Sequence, residues 1–364
     1  MSPTVRSSAP KSPIRSVTAR IALIALGVAA LTSCAQSSRE RISIVGSSTV
    51  YPFSTVVAER FGRTTKFKVP TVESTGSGGG LKLFCKGVGM AYPDITNASR
   101  RIKASEVALC GENNVEDIIE IKIGYDGIVL ANAVNAPQLD VSRRDLFLAL
   151  AKQVPNPDGS ATLIDNPYIT WNDVKSGLPD IDIEVMGPPP TSGTRDAFVE
   201  LAMEGGCKTF DFIKAMKKSD KNKYKSICHT VREDGAFIEA GEQDNLIVNK
   251  LRKNADSFGI MGFSFLEQNA DMIQGSLVDG VGPSFNAIAD GSYPISRPLF
   301  FYVKKLHVGF VPGIQEFLNA FTNEDAAGGE GYLTDHGLIP LPATERKKVL
   351  ADVESLTPMT LAAI

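Results

Sequence analysis

Three times along this chain, an apolar stretch typical of a β-strand ends in a loop rich in hydroxyl groups and glycine, and a helical pattern follows. The loops span residues 46–52, 73–80 and 187–194. Because the first N–H groups of a helix have no partner inside the helix, each loop offers a place for an anion to bind. For any one loop, an ordinary helix cap is the alternative interpretation. The repeated unit predicts an α/β fold with an open parallel sheet whose loops share one edge.

The second loop contains four glycines within residues 76–80. So many glycines are costly in a purely structural loop, which favours the close approach of a ligand to the backbone; a flexible linker is the alternative. The loop lacks the Lys-Ser/Thr ending of a nucleotide-binding P-loop and the glycine spacing of a dinucleotide-binding fingerprint. We therefore expect no nucleotide cofactor.

Two further segments carry residues that could join these loops. Ser99 and Arg100 follow a short polar stretch, and Arg100 would supply a permanent forked cation; an exposed basic pair is the alternative. Asp126 stands at the mouth of an apolar run over 128–131 that is typical of a central strand. Asp126 and Asp196 are the acids nearest the loops, although an Asp at a strand mouth is often only a cap or turn residue.

The first 33 residues have the character of an export signal. Four basic residues and no acid precede an apolar run over 21–31, which is too short for a membrane span. The Leu-Thr-Ser-Cys segment that follows resembles the lipobox of bacterial lipoproteins, in which the cysteine becomes the lipidated first residue of the mature chain. We therefore expect a signal peptide over 1–33, lipidation of Cys34 and a polar tether over 34–40. A plain signal peptide with an incidental Cys34 is the alternative.

Charge and length set limits on function. Loss of residues 1–33 removes four positive charges and no negative ones, so the formal charge of −3 becomes −7. The overall field of such a chain opposes the approach of an anion, so a bound anion must be held by local geometry, and no nucleic-acid partner is expected. A mature chain of about 330 residues exceeds what one core usually supports, so two lobes are expected.

Four cysteines follow Cys34, and an even number in an exported chain indicates two disulfides, for which three pairings are possible. We expect Cys85–Cys110 and Cys207–Cys228 because each closes a modest local loop. The chain contains no Cys-x-x-Cys, and Cys228 has no second His or Cys nearby besides His229, so a metal site is not expected.

Three other stretches predict local structure. Residues 208–225 predict one polar surface helix, and residues 168–174 predict a short strand and turn around the single Trp171. Alternating apolar residues over 181–185 predict the strand that leads into the third loop.

Four segments together resemble the anion-contacting segments of the bacterial periplasmic phosphate-binding proteins, the receptors of the high-affinity phosphate ABC transporter. They are residues 45–52, 76–80, 97–100 and 192–195, in the family's order and at similar separations. Residues 293–300 also resemble the family's hinge, and the match covers residues 42–337.

The resemblance implies a two-lobed periplasmic-binding-protein fold of type II, with the ligand in the cleft between the lobes. Lobe I would comprise residues 41–126 with 297–364, and lobe II residues 127–296. The resemblance also implies a monomeric periplasmic receptor whose partners are inorganic phosphate and a membrane ABC permease. Position by position, it implies that phosphate is contacted by the following residues: Ser48, Thr49, the N–H of Val50, Ser77, Ser99, Arg100, Ser192, Gly193 and Thr194.

Two positions depart from the family pattern. Many members carry Asp at the position of Arg100, where it accepts the proton of hydrogen phosphate and so excludes sulfate. The Arg that some members carry four residues before Ser-Gly-Thr is Pro188 here, so positive charge is expected at Arg100 and Arg195. Selectivity for phosphate then needs another acceptor, and Asp126 is our candidate. The alternatives are Asp196, Glu73 and an acid within 233–244.

An exported serine hydrolase is the competing class of protein. Ser192 or Ser77 would be the nucleophile, with His229, His307 or His336 as the base. Neither serine lies in Gly-x-Ser-x-Gly, and no histidine stands in a recognisable context, so we do not expect an enzyme. A receptor for a different oxyanion, such as sulfate, is the second alternative.

Overall fold

The computed structural model describes residues 39–241 and 244–360. The expected signal peptide over 1–33, the lipidation site Cys34 and most of the expected tether lie outside the described residues. The described residues from Glu40 onward belong to one compact unit.

The described residues contain thirteen strands: β1 (Ser43–Gly46), β2 (Thr71–Ser74), β3 (Ile95–Ala98), β4 (Ile118–Ala133), β5 (Asp140–Val141), β6 (Gln153–Pro155), β7 (Leu163–Asp165), β8 (Val185–Gly187), β9 (Phe237–Glu239), β10 (Phe258–Gly262), β11 (Ile273–Gly275), β12 (Leu277–Val278) and β13 (Ser296–Lys304). Nine of them form one sheet in the order β2-β1-β3-β13-β4-β10-β8-β9, with β11 beside the end of β4. The pairs β5–β12 and β6–β7 form two small separate sheets.

The helices are α1 (Tyr51–Thr64), α2 (Ser77–Phe84), α3 (Ala104–Glu112), α4 (Arg143–Leu150), α5 (Trp171–Val174), α6 (Gly193–Phe198), α7 (Glu204–Cys207), α8 (Asp211–Ser219), α9 (Lys221–His229), α10 (Asp244–Leu251), α11 (Phe263–Gln268), α12 (Phe285–Ala289), α13 (Ile314–Thr322), α14 (Glu324–Ala327) and α15 (Ala343–Ser355). A π-helical turn, Val199–Met203, joins α6 to α7. Over the described part of the chain, none of the helices combines the length and the apolar character needed to cross a bilayer.

Parallel strands bring the predicted loops to the edges of the sheet. β1 pairs in parallel with β2 and β3, and β8 pairs in parallel with β9 and β10. The helices α1, α2 and α6 follow β1, β2 and β8 directly, so each of the three predicted loops connects the carboxyl end of a strand to the start of a helix. The α/β fold expected from the sequence is confirmed.

The long strand β4 connects two halves of the sheet and is buried along nearly its whole length. Its residues 118–127 pair with β13, whereas residues 128–133 pair with β10 and β11. This change of partner lies next to Asp126, and Ser296, at the start of β13, pairs with Gly127. Two stretches of chain therefore pass side by side between the half that contains β1–β3 and the half that contains β8–β10.

Three local predictions need correction. The single helix expected over 208–225 is two helices, α8 and α9, because the Asp220 side chain accepts a hydrogen bond from the Lys223 N–H and caps a new helix there. The strand expected around Trp171 is the helix α5, which starts with a capping box formed by Thr170 and Asp173. The strand expected over 181–185 begins only at Val185.

Both expected disulfides are confirmed. Cys85–Cys110 joins the end of α2 to α3 across a sequence separation of 25, within a small buried cluster that includes Phe84. Cys207–Cys228 joins α7 to α9 across a separation of 21. All four sulfur-bearing side chains are buried, so each bridge holds a pair of helices together from the inside.

Replacement of both Cys207 and Cys228 by Ser should lower the free energy of unfolding by about 2–4 kcal/mol, because the bridge limits the unfolded chain. Urea unfolding followed by circular dichroism measures the change. The wild-type protein, denatured without reductant, should show no reactive thiol at the four paired cysteines. A double variant as stable as the wild type would contradict a stabilising role for this bridge.

Candidate functional site

The first and third predicted loops touch each other across the two halves of the sheet. The Ser48 hydroxyl, in the loop after β1, donates to Asp196 Oδ2 on α6 at 2.5 Å. A Cβ atom at Gly193 would lie only 2.9 Å from Thr49 Cα, which is too close for any side chain. Gly193 is therefore required by the close approach of two backbones, and this contact places both loops at one point.

The second predicted loop meets the segment after β3. Ser77 Oγ accepts a hydrogen bond from the Ser99 N–H at 3.0 Å, and the two hydroxyl oxygens are also 3.0 Å apart. Hydroxyl groups that follow β2 and β3, the two strands that flank β1, are therefore held side by side at the start of α2.

The glycines of the second loop are required for different reasons at different positions. Gly76 has a φ of 70°, which favours glycine, and Gly80 packs so closely on Gly46 that a Cβ atom would lie 2.5 Å from Gly46 Cα. A Cβ atom at Gly78 or Gly79 would meet only ordinary contacts. The prediction that a ligand explains these glycines is therefore unnecessary for Gly76 and Gly80, and it stays a prediction for Gly78 and Gly79.

A residue that the sequence analysis did not single out, Arg297, lies between these loops. It is 7% exposed, at the start of β13, directly opposite Asp126 on β4. Its Nε donates to Asp126 Oδ2 at 3.3 Å and its Nη2 to Thr49 Oγ1 at 2.7 Å. Its Nη1 donates to Glu200 Oε2, on the π-helical turn, at 2.6 Å. One guanidinium thus connects β4, the loop after β1 and the chain that follows α6.

Asp126 is buried, and it lines a cavity of about 560 Å³ together with the first and third loops. Burial raises the pKa of its carboxyl group, and the charge of Arg297 opposes this shift. The structure therefore brings the proposed acceptor together with five of the predicted contact residues, which line the same cavity: Ser48, Thr49, Ser192, Gly193 and Thr194.

The third loop also provides an ordinary helix cap. Ser192 Oγ accepts a hydrogen bond from the Thr194 N–H at 3.2 Å. The interpretation of Ser192 as a helix cap is therefore correct. The serine hydroxyl still has its proton to donate. In the first loop, the Val50 N–H points at Ser47 Oγ, 3.4 Å away.

Ser77 and Ser99 line a second cavity of about 620 Å³, and Arg297 lines it too. Arg100 also reaches this cavity, but its guanidinium makes a two-pronged ion pair with Glu106, with N–O distances of 2.7 and 2.9 Å. The hydrogen bonds that Arg100 donates to Glu106 raise the pKa of Arg100, so its charge is fixed and largely compensated. Arg100 is present at the site, although less of its charge is available than the sequence suggested.

The other predicted cation, Arg195, lies elsewhere. Its guanidinium stacks 4.3 Å from the centre of the Phe237 ring and donates to the Pro188 carbonyl at 3.1 Å. It lines a separate cavity that also includes Glu239. The orientation of α6 therefore sends Arg195 away from the serine and threonine side chains of its own loop.

A second polar cluster borders the cavity of Ser77 and Ser99. The Glu204 carboxylate lies 2.8 Å from His229 Nε2 and 2.8 Å from Lys217 Nζ, and it accepts from the Tyr224 hydroxyl at 3.1 Å. The hydrogen bond with His229 and the charge of Lys217 lower the pKa of Glu204 to about 2. Glu204 is therefore ionised at neutral pH and holds two basic groups beside the cavity.

The histidines do not form a nucleophile–base pair with the candidate serines. His229 is bound to Glu204, and His307 is buried against Asp94 at 2.6 Å. His336 lines the same cavity as Ser192, yet over the described residues no hydrogen bond joins a histidine to Ser192 or Ser77. In the same part of the chain, no group of three or more His, Cys, Asp or Glu side chains is arranged to hold a metal ion.

The sequence of this chain is similar to those of known proteins over most of its length. A family model described as a PBP superfamily domain matches residues 33–325. Protein SphX of Synechocystis sp. is 31% identical over 328 residues, which cover 88% of this chain and 84% of SphX. Phosphate-binding protein PstS of Staphylococcus saprophyticus is 29% identical over 316 residues, which cover 85% of this chain and 83% of that protein.

Solved structures show the same architecture. A possible phosphate binding protein from Planctomyces limnophilus superposes with a TM-score of 0.67 at 24% identity, over 88% of this chain and 99% of that one. An ABC-type phosphate transport receptor from Vibrio cholerae superposes with a TM-score of 0.55 at 18% identity, over 83% and 100% of the two chains. These similarities confirm the expected two-lobed fold.

Proposed function

Because this chain belongs to the PBP superfamily, we propose that it is a receptor that binds inorganic phosphate between two lobes and delivers it to a membrane ABC permease. Relatives that match most of its length include a phosphate-binding protein, PstS. The observation that carries the proposal is the site itself, in which hydroxyl-bearing loops from both halves of the sheet meet beside the buried Arg297.

The chemistry of the site suits a tetrahedral oxyanion. An anion removed from water needs many donors, and charge-assisted hydrogen bonds contribute roughly 1.5–3 kcal/mol each. Arg297 adds a fixed cation to the predicted group, whereas Arg195 is left out because it is engaged with Phe237 and Pro188. The proposed contact residues are Ser48, Thr49, Val50, Ser77, Ser99, Arg100, Ser192, Gly193, Thr194 and Arg297.

The proposed lobes meet where β4 changes its partners. Lobe I consists of residues 41–126 with 297–364, and lobe II of residues 127–296. The pairing of Ser296 with Gly127 supports these bounds, because both crossings of the chain then lie side by side. Rotation about these two crossings would open the cleft to phosphate and close it again.

The protein is proposed to work outside the cytoplasm, held at the membrane by a lipid on Cys34. The basic and apolar segment before Cys34 supports export, and the Leu-Thr-Ser-Cys sequence supports lipidation. Mass spectrometry of the mature N-terminal peptide should show diacylglyceryl and acyl groups on Cys34. A mature chain that begins elsewhere, or an unmodified Cys34, would contradict the anchor without affecting the proposed ligand.

The direct test of phosphate binding compares the wild type with the double variant Ser192→Ala, Thr194→Ala. Calorimetric titration should show tight phosphate binding by the wild type and an affinity at least about a hundredfold lower for the variant, because the anion loses two donors. A matched control, Ser226→Ala with Thr344→Ala, removes exposed hydroxyls from α9 and α15. An unchanged affinity in the first variant would exclude this loop as the site. Turnover of a phosphoester by the wild type would instead favour the hydrolase.

Selectivity is assigned to Asp126. Both common forms of phosphate at neutral pH carry a proton to donate, whereas sulfate only accepts hydrogen bonds, so a fixed carboxylate favours phosphate. Asp126 lines the cavity of the first and third loops. Burial raises the pKa of its carboxyl group, whereas the charge of Arg297 favours the ionised form. The alternative acceptor Asp196 accepts a hydrogen bond from Ser48 and lines a different cavity.

Asp126→Asn should lower phosphate affinity and raise sulfate affinity, so that the ratio of the two falls by about tenfold or more. Titration of both anions measures this ratio, and Asp196→Asn is the matched variant for the alternative acceptor. Thermal unfolding of both variants checks that the loss of the partner of Arg297 has not disrupted the fold. An unchanged ratio in Asp126→Asn, with a changed ratio in Asp196→Asn, would move the role to Asp196.

A further inference from the structure

The cavity beside Ser77 and Ser99 has lysines on both of its walls. Lys103 precedes α3, on the same side as Ser99 and Arg100, whereas Lys221 and Lys225 lie on α9, which follows the third loop in the chain. Lys221 and Lys225 are four residues apart on one helix, so their ammonium groups share the face that lines the cavity. Cations therefore border this opening from both halves of the molecule.

These three lysines are exposed. Over the described residues, Lys221 and Lys225 form no ion pair, and Glu106, on which the charge of Lys103 acts, is already bound to Arg100. The other cations that line the cavity are compensated: Lys217 pairs with Glu204, and Arg297 pairs with Asp126 and Glu200. The free positive charge at the opening therefore belongs to the three lysines.

The helix α9 is held firmly in this position. The Tyr224 side chain is buried and donates to Glu204 on α7, and Cys228 is bonded to Cys207 at the end of the same helix. Through the π-helical turn, α7 continues the segment that carries Glu200 and the third loop. The backbone positions of Lys221 and Lys225 are thus fixed relative to the site, although like charges at this spacing repel one another and do not stabilise the helix.

The chain as a whole carries the opposite charge. Its formal net charge is −3 with these lysines included, so the long-range field repels an approaching phosphate. Glu200 and Glu204 also line this cavity, but its lysines and arginines outnumber them. A cleft with such an excess of one sign of charge focuses the local field and raises the rate of association without contact in the bound state. We propose that Lys103, Lys221 and Lys225 form a cationic entrance that speeds the capture of phosphate, an inference that rests on the proposed function.

The proposed role of the lysines concerns the association of phosphate and not its dissociation. Lysines that only attract the anion increase the association rate constant and leave the dissociation rate constant unchanged. Lysines that bind the anion directly would slow its dissociation as well. The two roles therefore differ in which rate constant changes on mutation.

The experiment uses the triple variant Lys103→Gln, Lys221→Gln, Lys225→Gln. Equilibrium dialysis with radiolabelled phosphate gives Kd, and release of label into excess unlabelled phosphate gives the dissociation rate constant. Their ratio gives the association rate constant, which should fall about fivefold or more at low ionic strength. Near 1 M salt, where the screening length is about 3 Å, the difference from wild type should shrink to less than about twofold.

The matched control is Lys214→Gln with Lys218→Gln, which removes two exposed lysines at the same spacing from α8 that do not line the cavity. Its association rate should equal that of the wild type. Equal association rates for the triple variant and the wild type would show that the lysines do not speed the capture of phosphate. A faster dissociation from the triple variant would show instead that the lysines contact the bound anion. Failure of the wild type to retain any label would refute the proposed function itself, together with this inference.

Discussion

The site depends on one buried guanidinium. To take a charge out of water costs several kcal/mol unless hydrogen bonds and an opposite charge replace the lost hydration. Arg297 meets this requirement with Asp126 on the adjacent strand, Thr49 in the loop after β1 and Glu200 on the π-helical turn. Because those partners come from both halves of the sheet, the relative position of the loops follows from the needs of a single side chain.

The acids around Arg297 are not equivalent. Asp126 is 11% exposed at its side chain, whereas the Glu200 side chain is 54% exposed. Release of Glu200 into water would restore most of its hydration, while an unpaired Asp126 would remain buried. A site with one buried cation and one buried carboxylate holds little net charge, so it must distinguish anions by hydrogen-bond geometry and proton content rather than by attraction alone.

The sequence predicted the parts of the site that are local in the chain. A strand end, a hydroxyl-rich turn and a helix start occupy about ten residues each, and the two disulfides join cysteines only 25 and 21 residues apart. The partners of Arg297 lie 97, 171 and 248 residues away, which no local pattern reveals. The available signal was an arginine near the start of β13, directly before an apolar run over 298–303. The direction of Arg195 depends on how α6 packs, and the helix break at Asp220 was hidden in a continuous charged stretch.

The side-by-side passage of β4 and β13 has a consequence for how this architecture can be divided. Residues 127–296 begin and end on directly paired positions, Gly127 and Ser296, so their two ends lie within the spacing of neighbouring strands. When the two ends of a segment are this close, a short turn that replaces the segment costs little loop-closure entropy. The same holds when the segment is exchanged for that of a relative. In topological terms, residues 127–296 are an insertion into the antiparallel pair formed by the first part of β4 and β13, and β1–β3 with the first two loops lie outside this insertion.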